Sequence, residues 1–509
     1  MKSNLNLFLT FCIMLSFSAY INKTTADQTE LSYNEPHRPQ YHFSPPKNWM
    51  NDPNGMVYYD GEYHLFYQYY PHGNTWGPMH WGHAISTDLI IWKNLPIALY
   101  PDTLGYIFSG SAVIDWKNTS GLGKNGQPPM VAIYTYHSVD GEKAGKIDFQ
   151  NQGIAYSTDK GRVWEKYKRN PVLKNPGIKD FRDPKVIWDE GSNSWIMALA
   201  VKDKVSFYTS PDLLNWKHSS DFNPAWAAYG GVWECPDLFP IKTQDGEDKF
   251  VLLVSINPGG PNGGSATQYF VGDFDGKKFV PVTSKINWLD YGADNYAGVT
   301  WSDVPKTDGR RLFIGWMSNW LYAQNVPTEA WRSAMTIPRV LKLHKSEGQY
   351  KLLSNPVQEL TKLRKSSRQV TSNKINLSSD ILEIELDALS ADFQLIFSNK
   401  NKEKVILQKK GDEIIFNRSQ SGITTFNDDF PKIHYAPAKD IDIKKIKIYI
   451  DRSSMELFFN EGELNMTELV FPKSSYTLLE TQGIREQVTI HYLRTIWKKY
   501  EIPSYKSNN

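Results

Sequence analysis

Through most of the chain, apolar positions come in short runs rich in Val, Ile, Tyr, Phe and Trp, separated by polar turns. Such runs predict strands, because β-branched and aromatic side chains suit a pleated, half-buried surface. Asp-Gly pairs fall between them at Asp60-Gly61, Asp140-Gly141, Asp245-Gly246, Asp275-Gly276 and Asp308-Gly309. Each pair predicts a hairpin, since both positions of the favoured two-residue turn need positive φ. A longer pattern also recurs. Ser86-Thr-Asp88, Ser157-Thr-Asp159 and Ser210-Pro-Asp212 are each followed within a few residues by a tryptophan: Trp92, Trp164 and Trp216. Asp at such a turn accepts backbone N–H groups, and the Trp returns to the core on the next strand. Repeating units of this size, each holding several short strands, predict propeller blades.

The pattern changes after Pro338. Leu343 to Gln349 is mostly polar, and Asn355 to Lys365 predicts a short connecting helix. Further on, Leu382, Ile384 and Leu386 alternate with Glu383 and Glu385, and Ile446, Ile448 and Ile450 alternate with Lys447 and Tyr449. One apolar and one wet face per strand predicts packed antiparallel sheets, hence a β-sandwich. The reading is an all-β chain: a propeller over 36–345, a linker over 346–366 and a sandwich over 367–502.

Composition narrows the function. A chain of 509 residues with 40% hydrophobic and 22% charged positions is folded, and too long for a single core. Lys2 followed by the apolar stretch Leu7 to Tyr20 reads as a signal peptide over 1–26, too short to span a bilayer. No later run approaches membrane-spanning length, so a secreted protein without a membrane anchor is expected. Once those 26 residues are removed, Lys plus Arg equal Asp plus Glu, and no basic stripe stands out. That argues against a nucleic-acid partner and for an uncharged ligand. Cys235 is then the lone cysteine, so no disulfide is expected. Glycosylation sequons begin at Asn22, Asn118, Asn376, Asn417 and Asn465.

Three acids stand out by their neighbours. Asp52 lies in Trp49-Met-Asn-Asp-Pro-Asn-Gly55, Asp183 in Phe181-Arg-Asp-Pro184 and Glu234 in Trp233-Glu-Cys-Pro-Asp237. A carboxyl near Trp fits a sugar site: the ring stacks on a sugar face, and a dry wall raises a carboxyl pKa. The three occupy separate blade-sized segments, whose first strands converge on one end of a propeller axis. Two carboxyls facing one sugar carbon are the minimal apparatus for glycoside cleavage. His80 and His83 lack a third ligand at metal-binding spacing. Pro258 to Gly264 lacks the Gly-Lys-Ser/Thr of a phosphate loop and reads as a blade loop.

These motifs, with Trp76-Gly-Pro-Met-His-Trp-Gly-His83, Phe108-Ser-Gly-Ser111 and Asp451-Arg-Ser-Ser-Met-Glu456, resemble glycoside hydrolase family 32, the β-fructosidases. The resemblance runs from about His37 to the C-terminus. It implies a five-bladed β-propeller followed by a C-terminal β-sandwich, and a retaining hydrolase of β-fructofuranosides that needs no cofactor and no metal. It makes Asp52 the nucleophile, Glu234 the acid/base and Asp183 the residue that steadies the cationic transition state. Trp49, Asn51, Gln68, Trp76, Phe108, Ser109, Arg182 and Trp320 match substrate-binding positions. A fructosyltransferase or a non-catalytic fructan-binding lectin on the same scaffold remain open alternatives, as do substrate preference and oligomeric state.

Overall fold

The computed structural model describes residues 33–387 and 389–497; the predicted signal peptide and the Asn22 sequon lie outside them. Five sheets follow one another in chain order. Their innermost strands are Asn48–Tyr59, Tyr106–Ile114, Phe181–Asp189, Val232–Lys242 and Tyr296–Thr300. Each innermost strand touches the next, and the fifth touches the first, so the strands form a closed ring. The ring is sealed by a short strand, Trp331–Arg332, that runs parallel to Asn48 and Trp49. This is the propeller.

Packing between sheets explains the dense apolar runs. The strand Met130–His137 is buried at every position. Met130, Ala132, Tyr134 and Tyr136 pack toward Phe66 and Trp81 of the first sheet. The residues between them, Val131 and Ile133, pack against Val186 and Met197 of the third. A strand covered on both faces reads as a near-continuous apolar run, and its two polar residues, Thr135 and His137, are buried with hydrogen-bond partners.

The recurrent Ser-x-Asp pattern marks the turn between the third and fourth strands of the first three sheets. Asp88 Oδ1 accepts from the amides of Ile90 and Ile91, Asp159 Oδ1 from Arg162 and Val163, and Asp212 Oδ1 from Leu214 and Asn215. The fourth sheet has a similar turn without the Ser and the Trp: Asp273 stands in the place of the Ser, Asp275 Oδ1 accepts from Lys277 and Lys278, and Phe279 is the buried ring that follows. The Asp-Gly pairs are less uniform than expected. Only Asp60-Gly61 has positive φ at both positions (46° and 88°). Asp140-Gly141 sits instead in the helical turn Val139–Lys143, which Ser138 caps by accepting from the Gly141 amide.

Two six-stranded sheets form the C-terminal sandwich around Leu382, Ile384, Leu386, Ile446, Ile448 and Ile450. The segment read as a linker is shorter than expected. Gln349–Pro356 completes the fifth sheet by pairing with Arg339–Ser346, and Arg364–Val370 already pairs with Val488–Leu493 in the sandwich. Only a 3₁₀ turn, Gln358–Leu363, lies between them. The mostly polar stretch Leu343 to Gln349 is the hairpin end between Arg339–Ser346 and Gln349–Pro356, where His344 and Ser346 to Gln349 are exposed. The face expected to be wet is also largely covered. Glu383 and Tyr449 are buried, Tyr449 donates to Glu383, and Arg364 forms a bidentate pair with it. This face packs on the propeller. His42, from the strand-entry segment of the propeller, lies 2.8 Å from Asp451 and 2.9 Å from Glu456. Burial opposes its charge, but the two carboxylates prevail and push its pKa up to about 9. Among the sequons, Asn118 and Asn376 are exposed, whereas Asn465 is buried in Leu464–Leu469 with no room for a glycan.

Candidate active site

The innermost strand of every sheet in the ring carries a bulge. The register shifts between Met50 and Pro53, between Ile107 and Gly110, opposite Ala198 to Ala200, between Glu234 and Asp237, and between Tyr296 and Val299. A bulge bends its strand and re-aims a side chain. Asp52, Ser109, Asp183, Glu234 and Cys235 all sit at these irregularities; Asp183 and Cys235 take φ of 63° and 44°. Gly110 is required at its bulge, because a Cβ there would lie 2.0 Å from the Ile133 carbonyl oxygen.

The bulges bring the three predicted acids together. Cys235 links two of them: its Sγ lies 3.7 Å from Asp52 Oδ2 and 3.7 Å from Asp183 Oδ2, and its amide donates to Asp183 Oδ2 (3.1 Å). Asp52 is held on both oxygens, by Asn51 Nδ2 (3.0 Å) and Ser109 Oγ (2.9 Å). Arg182 donates to Glu234 Oε1 (2.9 Å) and Asp180 (2.6 Å), and lies 3.8 Å from Asp183. The other Glu234 oxygen accepts from the Tyr296 hydroxyl. Asp183 is fixed from behind by Thr135, whose Oγ1 accepts from its amide.

Crowded carboxyls retain protons. Burial, with the charge of Glu234 nearby, pushes Asp52 up to about 6. Burial likewise pushes Asp183 up to about 7; Arg182 pulls against it, while Glu234 and Asp52 add to it. The guanidinium of Arg182 is held charged by Glu234, Asp183 and Asp180, which outweigh its burial. Burial drives the Cys235 thiol upward, so it is a neutral S–H and not a nucleophile. Its weak contacts to the two carboxyls are worth about 1 kcal/mol. Cys235→Ala should therefore keep kcat within about tenfold of wild type. Bulky mercurials that reach the thiol should inactivate the parent by crowding Glu234, and Cys235→Ala should resist them. A folded but dead variant in a kinetic assay would give the thiol a larger part.

The remaining predicted residues divide into wall and backing. Gln68 is buried, and its Nε2 has no protein partner, leaving a donor for a ligand. Trp76 is 37% exposed and meets Phe108 edge-on; Phe108 stacks on His137 at 4.2 Å. Trp320 stacks on Trp49 at 5.9 Å. Trp49 itself is fully buried and does not reach the opening. It corrects the expectation of a substrate contact: its indole donates to Asn51 Oδ1 (2.8 Å) and so steadies the residue that holds Asp52. His83 is buried, with His64 Nδ1 3.0 Å away.

Beneath the acids the axis is nearly filled. Lys185 reaches across it to the Thr300 carbonyl (2.8 Å) and Asp237 (3.2 Å). The space bordered by Pro53, Ser111, Asp183, Lys185 and Cys235 is about 10 Å³, room for a single water. The site is thus a pocket with a floor. A wider cleft of about 480 Å³ lies between Asn34–His37 and the sandwich, and none of the three acids borders it. Tyr296, Thr135 and Asp180 were missed in the sequence. Tyr296 was within reach, since it opens the fifth blade-sized segment as Asp52, Asp183 and Glu234 open theirs.

Residues 42–356 match the model of the glycosyl hydrolases family 32 N-terminal domain, and residues 349–495 that of the family 32 C-terminal domain. A levanase of Bacillus subtilis is 46% identical over 95% of this chain and 75% of its own. An extracellular exo-inulinase of Aspergillus awamori is 38% identical over 92% of this chain and 96% of its own. Its crystal structure superposes with a TM-score of 0.83 at 35% identity, covering 91% of this chain and 100% of that one. A levanbiose-producing levanase of Bacillus subtilis is 37% identical over 92% of each chain. No helix among the described residues is long and apolar enough to cross a membrane. Both domains match in order, from residue 42 to residue 495, and the chain belongs to glycosyl hydrolase family 32.

Proposed function

We propose that the protein is a secreted, retaining β-fructosidase that removes terminal fructose from sucrose and from the non-reducing ends of β-fructans. The convergence of Asp52, Asp183 and Glu234 carries this reading: Cys235 links Asp52 to Asp183, and Arg182 links Asp183 to Glu234. Asp52 attacks C2 of the terminal fructosyl unit while Glu234 gives a proton to the leaving oxygen. Water, activated by the same Glu234, then releases fructose from the covalent intermediate. Asp183 holds fructose hydroxyls and steadies the positive charge that develops at C2, while Arg182 beside it holds Asp183 and Glu234 in place. Gln68 supplies an amide donor, and Trp76, Phe108 and Trp320 supply the apolar wall.

Exo-attack follows from the floor that Lys185 and Asp237 place under the acids. A pocket closed at its base takes one ring and leaves the rest of the chain outside. Early inulin digests should therefore contain fructose and slightly shortened chains when chromatographed. A ladder of short oligofructosides preceding free fructose would establish endo-attack instead.

Titration follows from the shared protons. Below about 6, Asp52 takes up a proton and cannot attack. At high pH the last proton of the cluster leaves, and no acid remains for the leaving oxygen. The profile of kcat/KM should be bell-shaped with its maximum on the acid side of neutral, each limb a property of the coupled cluster. A flat profile from about pH 5 to 8 would remove these assignments.

A further inference from the structure

The loop that feeds the fifth innermost strand is gripped by the sandwich. Asp290 accepts from the Gly292 and Thr467 amides (2.8 Å each), and the Tyr291 and Asp294 amides donate to the carbonyls of Asn465 and Thr467 (2.8 and 3.0 Å). Gly292 lies so close that a Cβ would sit 2.1 Å from the Thr467 nitrogen. At the centre of this grip is Arg418, a fully buried sandwich residue. Its Nη1 donates to Asp294 Oδ2 (2.6 Å) and to Glu468 (3.2 Å), and its Nη2 donates to the Tyr322 hydroxyl (2.7 Å). That hydroxyl in turn donates to Asp294 Oδ1 (2.7 Å).

Each end of this cluster stands two residues from the chemistry. Asp294 is two positions before Tyr296, whose hydroxyl donates to Glu234. Tyr322 is two positions after Trp320, which stacks on Trp49. Asn319 ties the two segments together, donating to the Ala293 carbonyl (2.8 Å). We infer that Arg418 and Asp294 are positioning residues: through Tyr296 the sandwich sets the orientation in which Glu234 delivers its proton, and through Tyr322 it sets the wall at Trp320. None of these groups touches substrate. Buried charges with fixed partners hold one geometry, and a small displacement of a proton donor is costly to the step it serves.

The inference rests on the acid role proposed for Glu234, so the test measures both. Full-length Asp294→Asn and Tyr322→Phe are compared with wild type and Glu234→Gln on sucrose and on a fructoside with an activated leaving group, with thermal melts to verify folding. Asp294→Asn should lower kcat on sucrose about tenfold or more while changing the burst rate of leaving-group release from the activated substrate less than about twofold. Tyr322→Phe removes a single hydroxyl; it serves if Asp294→Asn does not fold, and should show the same split at smaller size, with KM raised on both substrates. Equal losses on both substrates, or no loss on either, would overturn the inference. If Glu234→Gln itself shows no split, the acid assignment falls. If it shows one and the two junction variants do not, only the positioning role falls.

Discussion

Asp52→Asn should lower kcat on sucrose by at least about 10,000-fold, the scale of losing a nucleophile. An amide cannot form the fructosyl ester, and Asn51 and Ser109 would still hold the side chain in place, so the loss would report chemistry and not collapse. The same variant should be more stable than wild type at high pH. The Asp52 carboxyl has a folded pKa of about 6 against 3.8 when free. Its charge therefore costs the folded state above about 6 and costs nothing below about 4, where it is protonated in both states. Two pKa units correspond to about 3 kcal/mol at most. The melting temperature of Asp52→Asn should exceed that of wild type at pH 8 and equal it at pH 4. A variant that melts lower at pH 8 would mean that Asn51 and Ser109 repay the burial of the charge.

Glu234→Gln should cost about 100- to 10,000-fold on sucrose, the range for removing a general acid. The amide oxygen can still accept from Arg182 while its nitrogen donates to the Tyr296 hydroxyl, so the pocket keeps its shape. What it lacks is the proton for the departing glucose oxygen. A fructoside whose leaving group departs as a stable anion needs no such proton, so its first step should be far less affected. Deglycosylation would still suffer, because Gln cannot activate water, and a burst of leaving group followed by slow turnover is expected in stopped-flow traces. Equal rate losses on both substrates, with no burst, would take Glu234 out of the acid role.

The three acids are legible in the sequence because each sits in a short motif beside Pro or Trp, at the start of a blade-sized segment. Their convergence is not, since it depends on bulges whose positions follow from hydrogen-bond register across strands far apart in the chain. The blade repeat is legible three times through Ser-x-Asp and Trp. At Asp275 it is hidden because Asp273 stands in the place of the Ser and Phe279 in the place of the Trp, although Asp275 still accepts from the amides that follow it. Trp49 shows the opposite failure: a motif residue beside a catalytic acid reads as a sugar contact, but complete burial makes it a prop for Asn51. The role of Glu383, Tyr449 and Glu456 was beyond local reading. Alternation correctly separates the two faces of a strand, but it cannot say that the polar face meets a second domain and not water. Only the partners reveal that, as His42 does for Asp451 and Glu456.

The parallel pairing of Asn48 and Trp49 with Trp331 and Arg332 has a consequence for the order of events on the ribosome. The strand that bears Asp52 is among the first to emerge, yet its second edge gains partners only late, at Val57 from Ser302 and at Asn48 and Trp49 from Trp331 and Arg332. The strand carrying Asp52 is begun early and finished late. Nascent chains halted before residue 331 would expose that edge beside an unfinished pocket, and hydrolysis would begin only once the far end of the propeller had come round to meet its start.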